Sequence, residues 1–137
     1  MEQPVLHVTN WSSRKLHGPA RRFGIMARPR VWEEGDGRVP SCMPTKAELD
    51  AVRDRALSRE AFRQALRERL ERAELSPGHL VAHTPSGKQV VADGDTLCCA
   101  CSRADAASGW CHRVWVSEAL ARAGWRVFLD GVEVRVE

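Results

Sequence analysis

No stretch of this 137-residue chain approaches the roughly eighteen consecutive apolar residues of a membrane-spanning helix. The N-terminal MEQPVLHVTN also lacks the basic start and apolar core of a signal peptide. The two absences argue against a helical membrane anchor and against export, so the expected localisation is cytoplasmic, with no membrane partner. An even set of cysteines is missing as well. Five thiols and no export signal do not make a disulfide framework, which leaves reduced cysteines as core residues, metal ligands or nucleophiles. Lysine is scarce, 3 against 18 arginines, and 18 acidic residues are interspersed with them. The resulting formal charge of +3 is too small to imply nucleic-acid binding by field strength alone. Internal repeats and low-complexity segments are absent too, and a chain of this length buries enough surface to fold as one domain over residues 1–137.

What is present reads as alternating strands and helices. Val5 to Thr9 is a β-type run ending in polar Asn10, Trp11 and Ser12, and Phe23 to Ala27 is a second short apolar run. Pro29 to Pro44 is dense in Gly, Pro and charge, and predicts one long surface loop of the kind that forms lids. Thr45 and Glu48 have the spacing of a capping box, opening a helix to about Ala56. Ser58 offers an N-cap for a second helix, ending near Glu74, with Phe62, Leu66, Leu70 and Ala73 on one stripe. Leu80 to Thr84 and Lys88 to Ala92 flank Pro85-Ser86-Gly87 as a hairpin.

Thr96 to Leu129 organises the rest. Thr96 to Ala100 has no polar alternation, which suits a central strand buried on both faces. A helix after Cys111 carries Val116, Ala119, Leu120 and Ala123 inward and stops at Gly124, so strand, loop, helix and the next strand form a crossover unit. Asp130-Gly131 then turns Arg126 to Leu129 into a C-terminal hairpin with Val132 to Val136. The expected architecture is a compact three-layer α/β domain with a mostly parallel central sheet.

The run Leu97-Cys98-Cys99-Ala100-Cys101, followed by Cys111-His112-Arg113 at a helix start, resembles the bacterial and archaeal family known as domain of unknown function 488. Its signature is a Leu-Leu-Cys-x-Glu strand end and a Cys-His-Arg helix start. Thr9-Asn10-Trp11, the segment from Ile25 to Trp32 and the helical stretch after Pro44 follow the order of one branch of that family. The resemblance implies a compact α/β fold whose strand-end loops converge. The chain departs from the signature at Cys101, which stands where the family has an acid.

Cysteine at a helix N-terminus, beside histidine and arginine, is in an environment that lowers a thiol pKa. Cys111 is therefore the candidate nucleophile, His112 a general acid or base, and Cys99 a second thiol. Arg113, with Arg28, is the candidate grip on an anion, and Asn10, Trp11, Ser12 and Trp110 the candidate lining. These roles describe a thiol-dependent enzyme acting on an anionic, nucleotide- or nucleic-acid-related substrate. The alternative is a non-enzymatic binding module for a nucleic acid or protein partner, stabilised by zinc on Cys99, Cys101, Cys111 and His112. Cys98 reads as a small core residue, His17 as surface or packing, and Cys42 as an exposed loop thiol.

Overall fold

The computed structural model describes residues 3–11, 13–25, 36–54, 58–99 and 112–136. Among these, eight strands form one mixed sheet. In chain order they are β1 (Val5–Asn10), β2 (Arg22–Gly24), β3 (Gly37–Arg38), β4 (Val81–Thr84), β5 (Gly87–Val90), β6 (Thr96–Cys99), β7 (Arg126–Leu129) and β8 (Val132–Glu133). Their order across the sheet is β5-β4-β3-β2-β6-β1-β7-β8. β3, β2, β6, β1 and β7 are mutually parallel, while the hairpins β4-β5 and β7-β8 add antiparallel edges. The domain is thus α/β with a C-terminal hairpin, as its sequence pattern predicts.

Among the described residues there are three helices: α1 (Lys46–Arg53), α2 (Arg59–Arg72) and α3 (His112–Arg122). The backbone N–H of Glu48 donates to Thr45 Oγ1 at 3.0 Å while the N–H of Thr45 donates to Glu48 Oε1 at 2.8 Å, the reciprocal capping box that starts α1. Ser58 caps α2 by accepting from Ala61 N–H at 3.1 Å. Phe62, Leu66 and Leu70 of α2 meet Trp115, Val116 and Leu120 of α3 in the core, over the face of the sheet that carries Leu6, Val8, Leu97, Cys99 and Val127. Trp125 closes that core and donates its indole N–H to Leu75 O at 2.6 Å.

The opposite face carries His7, Thr9, Thr96 and Cys98, and its cover is the connection from β1 to β2. That connection holds a short 3-10 turn at Arg14–Leu16. Gly18 N–H donates to Thr96 Oγ1 at 2.7 Å, and Leu16 lies against Gly131. Among the described residues, the third layer is therefore a turn and extended chain.

Several expected boundaries move. β2 is Arg22–Gly24, ending before the apolar run does, and β8 stops at Glu133 rather than Val136. The segment expected as a surface loop from Pro29 to Pro44 contains β3 and a 3-10 turn at Pro40–Cys42, with Val39 and Cys42 wholly buried. Pairing of β3 between β2 and β4 supplies the backbone hydrogen bonds that a buried segment needs, which the Gly- and Pro-rich composition hides. Cys42 is accordingly not an exposed thiol, and burial pushes its pKa up to about 12.

Candidate functional site at the carboxyl ends of β1 and β6

β6 lies between β2 and β1 and is buried along its whole length. From β1 the chain leaves over one face of the sheet toward β2. The helix that follows β6, α3, lies on the other face. Where connections diverge to opposite faces, a crevice opens at the strands' carboxyl ends, and α/β folds place their sites there. Asn10 and Cys99 stand side by side at this position, one residue past the Thr9 and Cys98 pair.

The two adjacent cysteines have different neighbours because consecutive strand residues point to opposite faces. Cys99 faces α3. The Arg113 guanidinium donates through Nη1 to Cys99 Sγ at 3.0 Å and through Nη2 to Asp130 Oδ2 at 3.1 Å. Thr9 Oγ1 donates to the other carboxylate oxygen of Asp130 at 2.7 Å, which fixes the carboxylate. Arg113 is 0% exposed, and Ser117, one turn along α3, bonds to its carbonyl at 2.6 Å. The sequence reading casts Arg113 as a grip on an external anion. Its fork is instead turned inward, joining a sulfur to a carboxylate.

His112 begins α3 and is buried, with Nε2 directed at the carbonyl of Ile25 just past β2. A carbonyl only accepts, so Nε2 carries the hydrogen and Nδ1 is the basic nitrogen. Burial, the largest influence, holds the pKa of His112 below its ordinary 6.5, although the Cys99 sulfur pulls the other way. The folded protein thus keeps His112 neutral where the unfolded chain would protonate it. Stability from this residue is complete above pH 6.5 and is lost as the pH falls through that value. Thermal melts should show a midpoint that drops between about pH 7 and pH 5, with a shallower drop in His112→Gln. His7, whose pKa burial also lowers, accounts for slope that remains. An unchanged slope in His112→Gln would assign the effect elsewhere.

Cys98 faces the other way. Its Sγ lies 3.8 Å from Nε2 of His17, which donates to Asn10 O at 3.0 Å. Trp11 follows β1 and its N–H bonds to Cys99 O at 3.1 Å. Of the residues predicted for the site, Asn10, Trp11, Cys99, His112 and Arg113 converge at these strand ends. Ser12, Arg28, Cys101, Trp110 and Cys111 lie outside the described residues. Two of the four zinc ligands of the alternative reading, Cys101 and Cys111, are among these, and the described residues hold no group of three metal-ligand side chains.

His17, Thr9 and Asp130 are the members that sequence reasoning misses. Asp130 reads as a turn residue, and it is one, with φ +49 beside Gly131 at φ +85. Its carboxylate nevertheless reaches back to the site. Two of the cavities formed by the described residues lie well away from these strand ends: a slot of about 270 Å³ between α2 and α3, lined by Arg67, Leu70, Trp115 and Glu118, and a groove of about 660 Å³ beside β3, lined by Arg38, Met43, Arg69 and His83. Neither includes Cys98 or Cys99, and neither gathers a thiol with an imidazole or a buried guanidinium. No family model, curated protein or solved structure matches this chain.

Proposed function

We propose that this chain is a thiol-dependent enzyme of the domain of unknown function 488 type, acting on an anionic, nucleotide- or nucleic-acid-related substrate at the carboxyl ends of β1 and β6. The observation that carries this reading is the contact of Arg113 Nη1 with Cys99 Sγ at 3.0 Å. A guanidinium keeps its charge under all ordinary conditions, and in a site that excludes water its attraction for an anionic sulfur is little screened. Placing such a group against a cysteine favours thiolate over thiol. Cys99 is itself 0% exposed, so it suits the part of second thiol, and Cys111, next to His112 in sequence, is the attacking sulfur of the mechanism. His112 exchanges protons through Nδ1, while its Nε2–H stays on the Ile25 carbonyl.

Iodoacetamide labelling at neutral pH, with sites read by mass spectrometry, tests the reading. Cys42, buried and with its pKa at about 12, is the inert internal reference. Cys111 should label well ahead of it. Cys99, compared at denaturant concentrations that open the same fraction of each protein, should label faster in the wild type than in Arg113→Met, because the guanidinium beside the sulfur favours the thiolate. Cys111 labelling no faster than Cys42 overturns the enzymatic reading. Stoichiometric zinc in protein purified without added metal, with labelling that waits for a chelator, would replace it by the zinc-stabilised binding module.

A further inference from the structure

The second sulfur of β6 has surroundings of its own, on the face that α3 does not cover. His17 Nε2 is 3.0 Å from Asn10 O and 3.8 Å from Cys98 Sγ. Since the carbonyl must accept, the N–H is shared between oxygen and sulfur, and His17 acts toward Cys98 as a donor rather than a base. Trp11 lies on the same side. A Cβ placed on Gly24 would meet Trp11 Cζ2 at 3.6 Å, and Gly24 is the register partner of Cys98 in the adjacent strand. The indole therefore reaches from the end of β1 across β6 to β2, on the side to which Cys98 points. Its Nε1, bonded to the ring carbon next to Cζ2, is buried and has no hydrogen-bond partner among the described residues. Buried donors without acceptors are rare in folded proteins, and each asks for a group that completes it.

We propose that Cys98 is a site of reversible oxidation by hydrogen peroxide, with the His17 N–H and the Trp11 indole N–H as donors to the reacting atoms. The thiolate sulfur attacks one peroxide oxygen. An S–O bond forms as the O–O bond breaks, and the departing oxygen takes up the proton given up by the thiol and leaves as water. Cys98 is oxidised to sulfenic acid by two electrons and the peroxide is reduced. The hydrogen bond from His17 favours the thiolate, and the Trp11 N–H donates to peroxide oxygen as negative charge develops on it. Size selects the oxidant, because Cys98 is 0% exposed and a small neutral peroxide needs less opening of the cover to reach it than a larger oxidant does. Cys99, though adjacent, points through the sheet to the opposite face and does not condense with the product, and a small thiol returns the sulfenic acid to the thiol.

The site uses a different sulfur on the opposite face from the proposed enzymatic centre and none of Cys99, Cys111, His112 or Arg113, so oxidation at Cys98 is read separately from that reading. The test treats native protein with equimolar hydrogen peroxide, quenches into denaturant containing a sulfenic-acid trap, and maps the adduct. The trap should be found on Cys98, while Cys42, equally buried, stays unmodified. Trp11→Phe keeps an aromatic ring and removes the donor, so it should slow Cys98 oxidation severalfold while Cys42 stays unmodified. His17→Leu should slow it as well. Oxidation of Cys42 as fast as Cys98 in the wild type, a comparison that needs no variant, overturns the proposal. So does a Trp11→Phe protein that melts like the wild type and oxidises at the same rate.

Discussion

Arg113→Met is expected to lower unfolding free energy by about 3 kcal/mol, the low end of the cost of breaking a buried ion pair from one side. Methionine refills much of the volume, so the loss is chiefly electrostatic. It leaves the Asp130 carboxylate, pinned by Thr9 at 2.7 Å, without its cation, and Cys99 Sγ without its donor. Asp130 is 20% exposed, so water compensates part of that charge, and this keeps the expected cost from rising further. Arg113→Lys should fall between the two, because one ammonium cannot hold sulfur at 3.0 Å and carboxylate at 3.1 Å from the opposite edges of a fork. Urea unfolding of the three proteins measures the order directly. A Met variant within about 1 kcal/mol of the wild type would mean that the buried guanidinium costs as much to desolvate as its partners return.

The features that were legible in the sequence are those with local causes. The Thr45 and Glu48 box, the Ser58 cap and the Asp130-Gly131 turn each follow from a few consecutive residues, and each is present. Thr96 to Cys99 announces its burial because it has no polar alternation. What depends on distant pairing was not legible. β3 is a two-residue strand whose existence rests on partners in β2 and β4, and nothing in Gly37-Arg38 by itself suggests a ladder. The burial of Cys42 follows from that pairing. Half of the site was hidden for the same reason. Arg113 looks like a surface grip until the hairpin folds Asp130 back onto it, and His17 looks like a loop residue until the β1–β2 connection lies down over Cys98.

That connection is the subject of the second large effect. Gly18→Ala is expected to cost about 1–3 kcal/mol, the range for forcing extra volume into a packed position. The new Cβ would stand 2.4 Å from His7 Cδ2 and 2.5 Å from Gly94 O. The imidazole could turn aside, but the carbonyl belongs to a backbone held by Gly94 N–H on Val5 O at 2.8 Å, in a left-handed conformation at φ +88. What yields is therefore the substituted position itself. Gly18 N–H is fastened to Thr96 Oγ1 at 2.7 Å, so relief of the clash breaks that bond and lifts the chain on either side. His17 adjoins it and leaves Cys98 in the same movement. The expected signature is paired: a lower melting temperature, and a Cys98 that iodoacetamide now alkylates in native buffer while Cys42, in the core behind the other face, remains protected. A destabilised protein whose Cys98 stays closed to the reagent would show that the sulfur is covered by something other than the Gly18 segment.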